Sequence, residues 1–257
     1  DGASYPFWSP DGLSIAFFAD DKLKRVAIAG TPPQILCPAA RGPGGSWHAN
    51  GTLLFASTVD GAERLQWLPD SGGTPTVVPV LDGPTMNRRW PHFLPDGRHF
   101  LFFFSKRDPA TDGVYLSSLD GKIATRLVPG FVEARYHNGY LFYVRENALV
   151  AQGFDADRGT LAAGEPVLIA PSVEVRDNEA GKAFSVSDTG TVVFVAVTWR
   201  SVRQLRWLGP KGELIGEVGE SDAFGSPRIA PDGARIVSVS GSGPNHAGAI
   251  WITDVAT

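Results

Sequence analysis

At 257 residues, with 43% hydrophobic and 11% aromatic side chains, the chain holds enough apolar material for a packed core, which excludes a disordered tract despite 30 Gly and 20 Pro. A net charge of −4, with both signs interspersed and no basic run, excludes an electrostatic case for nucleic-acid binding. The single cysteine, Cys37, excludes an intrachain disulfide and a Cys-rich metal site, and no apolar window reaches the roughly 18 residues of a membrane helix.

The chain opens at Asp1-Gly2-Ala3-Ser4 with no initiator Met and no signal-peptide core, so it reads as a processed or excised piece of a longer protein. From there turn signals recur at Asp11-Gly12, Asn50-Gly51, Asp96-Gly97, Asn138-Gly139, Asp188-Thr189-Gly190 and Asp232-Gly233. Their glycines stand 39, 46, 42, 51 and 43 residues apart, which is the period of a four-stranded propeller blade.

Each turn launches an apolar strand: Leu13–Ala19, Thr52–Ser57, His99–Ser105, Tyr140–Arg145, Thr191–Val197 and Ala234–Ser240. Asp-Gly or Asn-Gly between apolar runs signals a hairpin, because Gly takes φ > 0 without a Cβ clash. A further strand-like run follows each: Leu23–Ala29, Arg64–Leu68, Gly113–Leu119, Ala148–Phe154, Arg203–Leu208 and Ala249–Val255. These alternate more clearly, as Arg203 to Leu208 does, and so suit strands with one wetter face. Gly-bearing turns then lead the first five units into short fourth runs: Thr31–Leu36, Thr74–Val80, Ala124–Val128, Glu165–Ala170 and Glu213–Val218.

Helical-period matches are short and broken by Gly or Pro, and the linkers are too short for βαβ crossovers. The expected fold is therefore all-β: one β-propeller domain of six four-stranded blades, the last incomplete. Its units fall at about 1–39, 40–82, 83–130, 131–173, 174–220 and 221–257, with 23 strands in all. Asp1–Ser4 is too short for a blade strand, so closure is expected to be incomplete or to need chain beyond both ends.

Motifs that carry chemistry are sparse. The Asp and Asn of the turns read as turn caps rather than metal ligands. Asp155–Gly159 begins like a calcium loop but lacks the distal Glu, and reads as a β-turn. His48, His92, His99, His137 and His246 show no paired metal spacing, and there is no Gly-x-Ser-x-Gly elbow, phosphate loop or dinucleotide fingerprint. The expectation is no catalytic residue, no metal and no cofactor, although a Ser/His/Asp triad assembled only in space stays open.

The segments entering the first strands are richer. They carry Tyr5 and Trp8, Trp47, Arg88 to His92, Arg135 and Tyr136, and Arg228. First strands line a propeller's channel, so these ends are expected around one mouth. Arg89, Trp90, His92, Arg135 and Tyr136 are the densest group and form the candidate binding set for a protein, peptide or small anionic ligand. The competing reading packs the aromatics between blades and ties the arginines to carbonyl ends.

Trp8-Ser9-Pro10-Asp11-Gly12 with Ile15-Ala16-Phe17, and Ile229-Ala230-Pro231-Asp232-Gly233 with Ile236-Val237, resemble the WD-like repeat of TolB-type propellers. More narrowly, Arg89 to Leu101 and Phe184-Ser185-Val186-Ser187 resemble the C-terminal propeller of bacterial eukaryote-like serine/threonine kinases. That resemblance implies a non-catalytic sensor or interaction domain, joined through a membrane helix to a kinase and standing on the periplasmic or extracellular side. A cytoplasmic place stays open, and the domain itself is expected to make no membrane contact. No kinase motif occurs in this chain: there is no Gly-rich loop, His-Arg-Asp or Asp-Phe-Gly. The alternative is a propeller hydrolase or lyase with its site at the channel mouth.

Overall fold

The computed structural model describes residues 2–80, 87–173, 183–196, 203–209, 212–222, 224–240 and 249–254. Blade 1 comprises β1 (Ser4–Trp8), β2 (Ser14–Ala19), β3 (Lys22–Ala27) and β4 (Gln34–Pro38). Blade 2 comprises β5 (Gly45–Trp47), β6 (Thr52–Val59), β7 (Ala62–Pro69) and β8 (Thr76–Val77). Blade 3 comprises β9 (Asn87–Phe93), β10 (His99–Ser105), β11 (Gly113–Ser118) and β12 (Ala124–Pro129). Blade 4 comprises β13 (Ala134–His137), β14 (Tyr140–Arg145), β15 (Ala148–Asp155), β16 (Thr160–Leu161) and β17 (Val167–Ala170). Blade 5 comprises β18 (Phe184–Val186), β19 (Val192–Val195), β20 (Arg203–Leu208) and β21 (Leu214–Asp222). Blade 6 comprises β22 (Phe224–Ile229), β23 (Arg235–Ser240) and β24 (Ala249–Asp254).

The fold is an all-β, six-blade β-propeller, and no helix occurs among the described residues. Each blade is an antiparallel meander, and the last has three strands among the described residues. The described residues hold 24 strands rather than the expected 23, because β16 extends the end of β15 while β17 pairs β15 as well. The fourth run of blade 2 shrinks to Thr76–Val77, since Pro75 and Pro79 on either side have no amide proton to donate. Val197 and Val255, the expected ends of two strands, lie outside the described residues, as do the boundary near 82–83 and residue 174.

The apolar second strands are buried on both faces, which explains why they read as continuous rather than alternating runs. In β6, Leu53 and Phe55 enter the core between blades 1 and 2, while Leu54 and Ala56 enter the core between blades 2 and 3. In β10, Phe100, Phe102 and Phe104 share one face and Leu101 takes the other. Six such interblade cores circle the ring. Burying one Phe side chain contributes on the order of 1.5–3 kcal/mol, so the second strands are the main source of stability.

The N-terminal strand has a definite place in the ring. Ser4 belongs to β1, the innermost strand of blade 1, and β1 pairs only with β2 among the described residues. Among the described residues, the first strand lies in blade 1 and the last in blade 6. Blades 6 and 1 are joined side by side: Trp8, Ile15 and Phe17 pack against Ala230 and Val237. Trp8 Nε1 also donates to the Arg228 carbonyl at 3.0 Å.

Candidate functional site

Bulges in the innermost strands create the site. Tyr5, Trp90 and Ser226 have φ of 47°, 52° and 53°, and each precedes a Pro. The strand registers break at these places, between Ser4 and Phe7, opposite Leu101 and Phe103, and between Gly225 and Arg228. A bulge inserts one residue and re-aims the next side chain, and Pro is compatible with it because it removes a ladder donor. The residue two places after each positive-φ position, Phe7, His92 or Arg228, consequently lines the channel.

A cavity of about 790 Å³ opens where the innermost strands turn into the second strands. All six blades line it, with Trp8, His48, His92, Arg135, His137, Asp188 and Arg228 among the contributors. Its floor is a buried charge cluster. Glu133 Oε1 accepts hydrogen bonds from Arg135 and from Arg228, the latter at 3.1 Å. Arg228 Nη1 also donates to the carbonyls of Phe184 and Pro227, at 3.3 and 3.0 Å. Two guanidinium groups against one carboxylate leave one net positive charge. Burial raises the Glu133 carboxyl above its ordinary range, and burial pulls Arg228 down to about 10, still protonated at neutral pH. Glu133 Oε2 and Arg135 Nε are buried without a hydrogen-bond partner among the described residues.

His92 is neutral. Arg135 Nη1 donates to His92 Nδ1 at 3.2 Å, so Nε2 carries the proton and donates to the Tyr136 carbonyl at 3.2 Å. Burial first, and the Arg135 charge second, lower the imidazole to about 3. Trp90, which does not line the cavity, packs on Phe103 and Phe131, with Tyr5 against them.

Higher in the mouth, His137 of blade 4 and Asp188 of blade 5 interact electrostatically. Burial holds His137 below the ordinary histidine range, with Asp188 pulling the other way. Asp188 lies exposed at the rim, yet its enclosure by the mouth raises its carboxyl, opposed by His137. His48 is fully engaged: Nε2 pairs with the Pro95 carbonyl at 3.2 Å and Nδ1 accepts from the Asn50 amide at 3.2 Å.

The five side chains expected to form the binding set separate. His92, Arg135 and Tyr136 line the cavity, whereas Arg89 and Trp90 do not. Arg89 binds Glu63 through two hydrogen bonds, 3.1 and 3.0 Å, beside the β6–β7 turn and so toward the opposite end of the ring. Trp90 is the largest fully buried side chain. The segment from Arg88 to His92 runs down the channel instead of ending at one mouth, which is why neighbours in sequence reach different ends. Glu133, Arg228, His137 and Asp188 were not in the set. One signal pointed to Arg228: Tyr5-Pro6, Trp90-Pro91 and Ser226-Pro227 each begin seven residues before a turn Gly, which makes His92 and Arg228 positional equivalents.

This architecture is that of a six-blade β-propeller with TolB-like and other propeller neighbours. No protein-family model matches the chain. An uncharacterized protein of Agrobacterium fabrum is 28% identical over 135 residues, covering 49% of this chain and 43% of that protein, so the chain matches less than half of that relative's length. Among solved structures, a luciferin-regenerating enzyme superposes with a TM-score of 0.69 at 9% identity, over 98% of this chain and 91% of that one. A gluconolactonase from Xanthomonas campestris gives 0.68 at 14%, over 98% and 85%. An oligogalacturonate lyase in complex with manganese gives 0.60 at 14%, over 99% and 78%. TolB from Acinetobacter baumannii gives 0.66 at 16%, over 98% and 60%. At such identities the likeness establishes the fold.

The comparisons correct the expectation of a non-catalytic sensor ring without enzyme activity. Rings that superpose on nearly the whole of this chain carry the names of enzymes.

Proposed function

We propose that this ring is a hydrolase or lyase whose site is the cavity at the mouth, acting on a small carboxylate-bearing substrate. The observation that carries the reading is a half-buried histidine, His137, lining the same cavity as a carboxylate, Asp188, above a floor of net positive charge. Arg135 and Arg228 attract the substrate's carboxylate to the floor. His137 is mostly neutral at pH 7 and is the general base, with Asp188 stabilising the imidazolium that forms. In hydrolysis the proton comes from the attacking water. In elimination it comes from the carbon beside the carboxylate, whose electron pair forms the double bond as the β-substituent leaves.

The reading is supported by the enzyme names among the structural neighbours and by the cavity's chemistry. The likeness of Arg89 to Leu101 and of Phe184 to Ser187 to kinase-linked propellers bears on what the ring is joined to, and through that on a periplasmic or extracellular place; it is supported by those two segments alone.

The test is a substrate panel of aldarate monolactones, which keep one free carboxylate, followed by acid release, and uronate oligosaccharides, followed by absorbance of the unsaturated product. Turnover of one class is expected, reduced at least about 100-fold in His137→Ala with an unchanged melting temperature, in line with the usual contribution of a general base. Turnover of neither class, or turnover indifferent to His137, overturns the reading.

A further inference from the structure

A divalent cation is bound by at least one neighbour of this fold, the lyase solved with manganese. The residues of the present mouth do not fit one. Four His or Asp side chains line the cavity: His48, His92, His137 and Asp188. Both ring nitrogens of His48 are engaged, by Pro95 and Asn50. Both of His92 are engaged as well, by Arg135 and Tyr136. That leaves His137 and Asp188, one ligand fewer than the three protein ligands of a typical catalytic zinc site. No group of three His, Cys, Asp or Glu side chains converges anywhere among the described residues. Glu133, the one acidic group of the floor, is bound by two guanidinium groups, whose charge repels a cation.

We infer that the mouth works without a divalent cation, the Arg135–Arg228 pair supplying the positive charge that holds an anionic substrate. The inference rests on the hydrolase or lyase reading for the word substrate, but the binding it describes stands apart from turnover. Arginine suits the role: its planar fork matches a carboxylate, it stays charged when buried, and it is more weakly hydrated than an ammonium group. Arg135 Nε, buried and unpartnered, leaves unused donor capacity on the guanidinium that faces the cavity. The pair is held in place from four blades, by Glu133, by His92, by the Phe184 carbonyl, and by Trp8 on the Arg228 backbone.

Isothermal titration of D-galacturonate and D-gluconate into the wild-type protein, dialysed against EDTA, tests this directly. At least one sugar acid is expected to bind after chelation, its affinity changing less than about twofold on adding Ca²⁺ or Mn²⁺. Arg135→Met is expected to weaken that binding at least tenfold, with Arg135→Lys recovering part of it. Should Arg135→Met fail to fold, the wild-type titrations decide alone. A cation that strengthens binding tenfold or more overturns the inference, and so does failure of both sugar acids to bind. Metal-free binding with no turnover in the substrate panel upholds the inference and sinks the enzymatic reading. Turnover that appears only on adding a cation does the reverse.

Discussion

Arg135 Nη1 lies 3.2 Å from Nδ1 of His92, and this one contact sets the charge of the channel floor. A guanidinium can only donate, so the facing imidazole nitrogen must be unprotonated. His92 then cannot add a second positive layer, and the floor carries the single net charge left by two arginines and Glu133.

The consequence is measurable. The folded state holds His92 at about 3, against roughly 6.5 in the unfolded chain. Because the folded value is the lower one, the stabilising effect is complete above pH 6.5 and is lost as pH falls toward 3, by on the order of 4–5 kcal/mol. The carbon-bound ring protons of His92 should not shift in NMR spectra between pH 8 and about 4. On acidification wild type should lose stability relative to His92→Gln. A His92 titration near pH 6 would show that the Arg135 contact does not exist in solution.

Glu133 compensates both buried arginines at once. Removing one partner of a buried ion pair costs about 3–5 kcal/mol, because the remaining charges keep their desolvation penalty. Glu133→Ala should lower stability by that amount in denaturant unfolding, well beyond an exposed pair such as Arg145–Glu165. Equal small effects at both sites would contradict the buried geometry.

Gly97 and Gly61 separate packing from backbone strain. Both have positive φ, 63° and 77°. A Cβ on Gly97 would fall 2.4 Å from His48 Cε1 of the neighbouring blade, whereas one on Gly61 would meet nothing within 4 Å. Gly61→Ala should cost about 1 kcal/mol from strain alone, and Gly97→Ala on the order of 1–3 kcal/mol more, since His48 must leave its bond to Pro95. Urea titrations of the two variants give the comparison.

Trp90 contributes through its rings and not through its N–H. Its Nε1 is buried with no hydrogen-bond partner among the described residues, and its ring lies 5.2 Å from Phe103 and 5.5 Å from Phe131. Trp90→Phe should therefore cost much less than Trp90→Ala, for which about 3–5 kcal/mol is expected. Thermal unfolding of both variants checks the order; comparable losses would point to an unseen partner for the indole.

The pH profile of turnover follows from His137. Burial holds it below the ordinary histidine range, so the acidic limb of kcat/KM should fall below pH 6.5. Asp188→Asn removes the charge that opposes the shift and should move that limb lower still. A limb that does not respond to Asp188→Asn would remove His137 from the role of base.

The repeat of turn glycines, the apolar second strands and the Pro-Asp-Gly signals were sufficient for the six-blade ring, because they are local: turn φ, strand period and burial on both faces are written residue by residue. The Asx geometry is legible in the same way, since Asp96 Oδ1 accepts from the Arg98 and His99 amides within its own turn. The site was legible only in part. His92, Arg135 and Tyr136 could be picked out as polar or aromatic ends of innermost strands, but Arg89 and Trp90 looked equivalent to them. Only the tertiary structure decided otherwise, through bulges at Tyr5, Trp90 and Ser226 that shift the side-chain alternation by one residue. The groupings that give the mouth its chemistry, Glu133 bonded to Arg228 across 95 residues and His137 sharing one cavity with Asp188 of the next blade, exist because the ring closes. A sequence specifies each blade through short-range preferences, while the charge and accessibility of a channel side chain depend on which distant groups ring closure brings beside it.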